Sequence, residues 1–347
     1  MLPPLNALHW SPPASWRRVE TLDAHAGGEP LRIVLAGYPD LQGETILDRR
    51  RYALEHLDDW RRALMFEPRG HADMYGCLLT PAVTPTADLG VLFTHNEGYS
   101  TMCGHAILAL TTALIQTESI AVTKPLTTVR YDTPAGLVTA YAEVEAGQVQ
   151  RVVFRNVPSF VVKLDAEVEV PELGTVRYDL AFGGAFYAYV DGTTLGLTGH
   201  PSEVERLIDL AQRIKHAVMK QRTIPHPTDP ELGFLYGTIF TMPPLTAHAD
   251  SRNVCIFAEG EVDRSPTGTG VSGRAAIEHA RGTLALGETL TVESIVGSVF
   301  AVRPVEATTC GRFDAVIPEV EGTAHLTGRH SFWIDPADPF RDGFLLR

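Results

Sequence analysis

The sequence predicts a two-domain α/β fold with mixed or antiparallel sheets. Its 347 residues exceed what one small hydrophobic core usually organises. Alternating apolar and polar residues recur in both halves, which is the pattern of half-buried strands. A strand, a polar glycine-containing loop and a helix of small or apolar residues follow one another twice, about half the chain apart. Together these observations indicate an internal structural duplication.

The first half is predicted to surround one apolar helix with strands. Residues 49–64 contain no Gly or Pro and carry leucines at helical spacing, so a single helix is expected there. Residues 106–116 are apolar on nearly every face, which predicts a buried helix. Strands are predicted within 19–36, 74–79, 90–94 and 127–154.

The second half repeats this order. A long amphipathic helix is predicted at 202–222, where Ser202 and Glu205 have the spacing of a capping box. A second helix, at 271–281, consists mainly of small residues and ends at Gly282. Strands are predicted within 178–190, 252–257, 290–302, 315–320 and 325–334.

The composition excludes several kinds of partner. With 29 basic and 42 acidic residues the net charge is −13, which repels phosphate backbones, so no nucleic acid is expected. No run approaches the roughly 18 apolar residues of a spanning helix, so no membrane is expected either. The cysteines are widely spaced, which predicts free thiols in a reducing, cytoplasmic environment and no metal site. They are Cys77, Cys103, Cys255 and Cys310.

Cys103 is the first candidate for chemistry, because it directly precedes the apolar helix. The start of a helix leaves backbone N–H groups free and carries a partial positive charge. Such a position lowers the pKa of a thiol and favours the reactive thiolate. Gly104 follows and lets a ligand approach the backbone closely. A buried structural cysteine is the alternative interpretation.

His105 raises the possibility of a Cys–His hydrolase. Residues two apart do not face each other on a helix, so a hydrogen bond between Cys103 and His105 is not expected. A zinc site at these two residues is not favoured, since no third and fourth ligands stand nearby. His105 then has either a capping or a core role.

The second loop contains a GxGxxG pattern at residues 268–273, which on its own is a weak dinucleotide-binding signal. A dinucleotide fold needs these glycines directly after a strand, yet a polar segment at 263–266 intervenes. The glycines more simply form a second helix start that binds an anion. Asp263 is then a candidate to hold a substrate ammonium, or alternatively a turn aspartate.

At these residues the sequence resembles the proline racemase family. The ordered set of motifs is specific and spans residues 19–333, nearly the whole chain. The matching segments are MCGH at 102–105, DRSPTGTG at 263–270, DAHAGGEPLR at 23–32, EPRGHADM at 67–74, FRNVP at 154–158 and FGGAF at 182–186.

The resemblance implies a fold similar to diaminopimelate epimerase. Two pseudo-symmetric α/β domains each wrap a curved, mostly antiparallel sheet around a central helix, and the active site lies in the cleft between them. The domains are expected at 17–157 plus 323–347, carrying Cys103, and at 158–322, carrying Thr267. The family also implies a homodimer that uses no cofactor.

The resemblance further implies how a substrate is held and where this chain departs from the family. Racemases of the family use two cysteines on opposite faces of Cα, but the second position is Thr267, whose hydroxyl is no acid–base group near neutral pH. The pattern of Cys103 with Thr267 is similar to members that dehydrate trans-3-hydroxy-L-proline. The residues expected to bind substrate are Gly104, His105, Asp263, Gly268 and Thr269.

The sequence therefore predicts a hydro-lyase in which Cys103 removes the α-proton of hydroxyproline, a small-molecule substrate. Two alternatives stay open. One is a proline or 4-hydroxyproline racemase or epimerase that uses another group on the second face. The other is a non-catalytic amino-acid binding protein with the same fold, although such a protein has no need of a thiolate at Cys103.

Overall fold

The structure is a computed structural model in which residues 10–346 are described. The strands are β1 (Arg17–Ala26), β2 (Glu29–Ala36), β3 (Tyr75–Thr80), β4 (Leu89–His95), β5 (Gly98–Ser100), β6 (Thr127–Thr133), β7 (Gly136–Glu145), β8 (Gln148–Arg155), β9 (Ser159–Val170), β10 (Gly174–Phe182), β11 (Phe186–Asp191), β12 (Leu235–Met242), β13 (Ser251–Phe257), β14 (Glu261–Val262), β15 (Leu290–Glu293), β16 (Val299–Cys310), β17 (Phe313–Gly322) and β18 (Ala324–Ile334). The α-helices are α1 (Ile46–His56), α2 (Asp58–Met65), α3 (Gly104–Gln116), α4 (Val204–Gln221) and α5 (Gly268–Ala280).

The strands of the first half form a curved sheet around α3. Its order is β18, β1, β2, β3, β4, β6, β7 and β8, and all neighbours are antiparallel except β2 with β3 and β4 with β6. The last strand of the chain thus lies beside the first. Because α3 packs against β1, β2, β7, β8 and β18, the sheet encloses it.

The second half has the same plan around α5. Its order is β9, β10, β11, β12, β13, β15, β16 and β17, with parallel pairs at β11 with β12 and at β13 with β15. Strand β17 also pairs with β9, which closes this sheet, and with β8, which joins it to the first half. The predicted fold class, duplicated curved sheets around central helices, is confirmed.

The two central helices are buried because their sequences leave little polar surface. The side chains of α3 are buried from Gly104 to Ala113, and α5 is buried from Gly268 to Gly273. Gly270 and Gly273 let neighbouring groups pack directly on the α5 backbone: a methyl at Gly273 would lie 2.2 Å from the Tyr189 hydroxyl oxygen. Small residues therefore let α5 fit inside its sheet.

Several details differ from the predicted elements, and strands β5, β9, β12 and β14 were not predicted. The helix expected at 49–64 is two helices, since Leu57 adopts φ −131° and ψ 16°, outside the helical region, and both α1 and α2 then pack on β4. The acidic pair Asp58 and Asp59 favours a new helix start there.

The predicted capping box at Ser202 is wrong, because a 3₁₀ turn at 201–203 precedes α4. Both central helices begin earlier than predicted, at Gly104 and Gly268.

Candidate active site

The predicted site residues come together where the two central helices begin. All of them line one narrow cavity between the halves of the molecule, together with several aromatic side chains. The predicted residues are Cys103, Gly104, His105, Asp263, Thr267, Gly268 and Thr269, and the others are Tyr75, Met102, Tyr187, Tyr236 and Phe257.

Cys103 is the residue that caps α3, in extended conformation and only 5% exposed. Burial raises the pKa of its thiol well above the ordinary value, and the Asp263 carboxylate raises it further. The backbone N–H of Ala106, in the first helical turn, and the Tyr75 hydroxyl lower the pKa. The helix start therefore lowers the pKa of Cys103 as predicted, but burial raises it by more. The free energy lost when a thiolate leaves water exceeds the stabilisation that one helix terminus provides.

His105 contacts the Cys103 sulfur, against the prediction from helical spacing. The distance from Sγ to Nδ1 is 3.1 Å. The spacing rule does not apply because Cys103 has φ −146° and ψ 111° and so stands outside the helix. Burial lowers the pKa of His105 to about 3, while a hydrogen bond to the Pro30 carbonyl opposes this. His105 is therefore neutral at physiological pH and is a polar contact for the sulfur.

The backbones of Gly104 and Gly268 touch. A methyl group added to either would lie 2.5 Å from the Cα of the other, which is too close for any side chain. The first turns of α3 and α5 therefore meet with their positive ends facing one cavity. Free N–H groups and two helix termini together form a site suited to a carboxylate.

Asp263 lies beside this anion site and supplies negative charge. Its Oδ1 accepts a hydrogen bond from the Ser265 backbone N–H at 2.7 Å. Burial raises the pKa of Asp263 to about 6, while hydrogen bonds from Ser265 and Thr267 oppose the rise. The carboxylate is therefore mainly ionised at neutral pH and suits an ammonium group. Carboxylate and ammonium sites next to each other match an α-amino acid.

Thr267 caps α5 as Cys103 caps α3. Its φ is +68°, a left-handed conformation that is rare for a β-branched residue. Its buried Oγ1 has no hydrogen-bond partner of good geometry within the described chain, although it lies near Asp263 and the Cys255 thiol. Next to it, Thr269 Oγ1 is 2.8 Å from the Tyr187 hydroxyl. A strained, buried residue at a helix start is a candidate functional position.

Three polar residues of the site were not predicted as site residues. Glu29 is fully buried, its Oε2 accepts the Arg264 backbone N–H at 2.7 Å, and burial raises its pKa well above the ordinary value. The sequence signal that could have identified Glu29 as a site residue is its place directly after two glycines in the segment at 23–32. Tyr75 and Tyr236 carry no such signal, because they lie within ordinary strand patterns.

The described residues show neither a metal-binding cluster nor a membrane-spanning helix. Within residues 10–346, no cluster of three or more His, Cys, Asp or Glu side chains is arranged to hold a metal ion. None of the described helices is long and apolar enough to cross a membrane.

Comparison with known proteins gives the family. The family model described as proline racemase matches residues 21–345. The chain belongs to the proline racemase family. Both helix starts of the site, at Cys103 and at Thr267, lie inside the matched range.

Relatives within the family differ in named activity. A protein from Colwellia psychrerythraea named trans-3-hydroxy-L-proline dehydratase is 49% identical over 96% of this chain and 94% of its own. A protein from Burkholderia multivorans named 3-hydroxyproline 2-epimerase is 48% identical over 95% of this chain and 99% of its own. Sequence similarity alone therefore leaves a choice between two reactions of 3-hydroxyproline.

The fold agrees with a solved structure of the family. A hydroxyproline epimerase from Agrobacterium vitis, with bound trans-4-hydroxy-L-proline, superimposes with a TM-score of 0.89 at 34% identity. The match covers 95% of this chain and 96% of the epimerase.

Proposed function

We propose that this protein is a hydro-lyase that dehydrates trans-3-hydroxy-L-proline to Δ1-pyrroline-2-carboxylate. The observation that carries the proposal is the asymmetry of the two helix starts, where Cys103 faces Thr267 across one cavity. A thiol is an acid–base group and a threonine hydroxyl is not. The site thus has one base, which suffices for elimination, whereas two-base epimerisation needs two.

The substrate is held by charge. Its carboxylate is expected at the N–H groups of Gly104 and Gly268, and its ammonium at Asp263. This arrangement aims two helix termini at the carboxylate that takes up charge when the α-proton leaves. Preorganised dipoles of this kind stabilise carbanion character at Cα.

Substrate binding is expected to generate the thiolate. Asp263 is one of the groups that raise the pKa of Cys103. A bound ammonium neutralises Asp263 and adds a positive charge beside the sulfur, and both changes lower the pKa of the thiol. The base therefore forms when a zwitterionic amino acid occupies the cavity.

Stereochemistry favours the 3-hydroxy substrate. In trans-3-hydroxy-L-proline the hydroxyl is opposite the carboxylate, so it is on the same ring face as the α-hydrogen. Cys103 takes the α-proton, the electron pair forms the Cα–C3 double bond, and the hydroxyl leaves with a proton as water. The enamine product tautomerises to Δ1-pyrroline-2-carboxylate. No cofactor is required for this sequence of steps.

An epimerase is the second candidate, favoured by the named activity of the Burkholderia multivorans relative. Here a group other than Thr267 returns a proton to the second face. A water molecule is one candidate for that role. Formation of the D-epimer or α-deuterium exchange without loss of water would favour this reaction.

The proposal includes a cellular location and an oligomeric state for the enzyme. All four cysteines are free thiols, which suits the reducing cytoplasm. Family resemblance supports a homodimer.

The decisive experiment is a panel of proline, 3-hydroxyproline and 4-hydroxyproline isomers. Purified protein is incubated in deuterated water and assayed for pyrroline formation and for α-deuterium. We expect pyrroline from trans-3-hydroxy-L-proline, without added metal or cofactor. Exchange without pyrroline would replace the proposal by the epimerase, and binding without either reaction would indicate a binding protein.

Cys103→Ser tests the base directly. A serine hydroxyl is far less acidic than a thiol, so we expect pyrroline formation to fall at least about 100-fold. Cys310→Ser is the matched control, since Cys310 lies on β16 away from the cavity, and it should keep wild-type activity. Turnover that survives Cys103→Ser would place the base elsewhere.

A further inference from the structure

The leaving hydroxyl needs a proton, and the cavity contains a side chain that can donate one. Tyr75, on β3, lines the same cavity as Cys103. Its ring meets that of His105 edge to face, with 4.8 Å between the ring centres. Its hydroxyl is near enough to the Cys103 sulfur to lower the pKa of that thiol. Tyr75 is therefore a neighbour of Cys103 in the cavity.

The surroundings orient the Tyr75 hydroxyl. Its oxygen hydrogen-bonds to Ser100 Oγ, which is also buried. When Ser100 donates this bond, the proton of Tyr75 is free to point into the cavity. The Tyr236 hydroxyl faces it, and its buried oxygen has no other partner of good geometry within the described chain. A hydroxylated ligand would supply the missing partner.

We propose that Tyr75 is the general acid that protonates the departing 3-hydroxyl of the substrate. This role rests on the proposed dehydratase function and deepens it, because it assigns the group that separates dehydration from simple α-proton exchange. Ser100 is the positioning residue that holds the Tyr75 oxygen.

The proton balance closes without a co-reactant. The Cα–H bond breaks and its proton goes to the Cys103 sulfur, while the electron pair forms the Cα–C3 double bond. The C3–O bond breaks and the oxygen takes the Tyr75 proton, which releases water. The Cys103 thiol then returns its proton to the neighbouring Tyr75 phenolate. The thiolate and the phenol are both restored.

The test uses two leaving groups on the same ring. Hydroxide needs a proton to leave, whereas fluoride does not, so trans-3-fluoro-L-proline bypasses the general acid. For Tyr75→Phe we expect dehydration of trans-3-hydroxy-L-proline to fall about 100-fold or more relative to elimination from the fluoro compound. Losing the effect of the Tyr75 hydroxyl on the pKa of Cys103 changes the rates with both substrates alike, and the ratio of the two rates removes that effect.

Matched variants control for folding. Tyr178→Phe removes another buried tyrosine hydroxyl, on β10 outside the cavity, and should leave both rates unchanged. Ser100→Ala should lower the ratio in the direction of Tyr75→Phe, by a smaller factor. Equal losses on both substrates, or no loss, would overturn the role of Tyr75. Wild-type protein that eliminates neither leaving group would overturn the proposed function itself.

Discussion

At the level of single residues, we propose that Thr267 selects between elimination and epimerisation. It holds the position of a second acid–base group, in a left-handed conformation with φ +68° that strains a β-branched side chain. A cysteine there would carry a thiol and would lack the branched methyl. The residue type at this position therefore controls both the chemistry of the second face and local strain.

We expect Thr267→Cys to gain epimerase activity on 4-hydroxyproline, because it places a thiol on each face of Cα. The measurement is formation of the second epimer by chiral chromatography. Thr267→Ser is the matched control: it also removes the branch but adds no acid–base group, so it should show no epimerisation. No gain in the cysteine variant would mean that the shape of the cavity sets the reaction.

Asp263 is expected to favour function at the expense of stability. Its pKa is about 6 in the folded protein against an ordinary 3.8, so between these values the folded state binds more protons than the unfolded state. The ionised carboxylate thus destabilises the fold fully above about pH 6 and not at all below about pH 4.

For Asp263→Asn we expect the free energy of unfolding to rise at pH 7 by up to about 3 kcal/mol and to change little at pH 4. Because the ammonium loses its charged partner, KM should rise about tenfold or more. Denaturant unfolding at both pH values and initial rates measure the two effects. A variant less stable at pH 7, or one with an unchanged KM, would contradict this account.

At the scale of elements, the contact between the starts of α3 and α5 builds the anion site. Gly104 and Gly268 approach so closely that no side chain fits between the helices. In the proposed site, the two sets of free N–H groups face one carboxylate. The glycine that begins each helix allows this close approach.

Gly268→Ala should separate the two helix starts, because its methyl would lie 2.5 Å from the Gly104 Cα. We expect a loss of about 1–3 kcal/mol in unfolding free energy and a marked rise in KM. Gly328→Ala, on β18, is the control, since its methyl meets only the His330 side chain at 3.3 Å. If KM is unchanged in Gly268→Ala, substrate binding does not depend on the contact between the two helix starts.

At the scale of the whole molecule, polar contacts hold the two halves together around the cavity. His95 Nδ1 is 2.8 Å from Glu261 Oε1, and both side chains are 5% exposed. Arg264 donates from Nη1 to the Asp73 carbonyl at 3.0 Å. We propose that 17–157 plus 323–347 and 158–322 act as the two domains that these contacts join.

Glu261→Ala removes one partner of the buried pair and leaves His95 without it. We expect a loss of about 3 kcal/mol in unfolding free energy, which is typical when one partner of a buried pair is removed. The exposed pair of Arg51 with Glu231 also links the halves, so Arg51→Ala is the matched control and should change the melting temperature little. Similar effects of both variants would argue against a special role for the buried pair.

Most elements could be predicted from local sequence patterns, and the candidate reacting positions could be named. Hydrophobic periodicity and glycine-containing loops are local signals, so most strands, the buried helix ending at Gln116 and the duplication were predicted correctly, whereas β5, β9, β12 and β14 were not predicted. The family motifs then placed Cys103 and Thr267 at matching helix starts. Helix boundaries were predicted less well. The break at Leu57, where packing against β4 sets the change of direction, was missed, and α3 and α5 begin earlier than predicted.

The environment of Cys103 depends on the tertiary structure. The raised pKa of its thiol and the approach of Tyr75 depend on groups that other elements bring to the sulfur, whereas the contact with His105 arises from the extended conformation of Cys103 at the start of its own helix. The contact between Gly104 and Gly268 joins positions that are far apart along the chain. Burial and electrostatic coupling arise from such long-range neighbours, whereas periodicity and helix-start signals extend over a few residues.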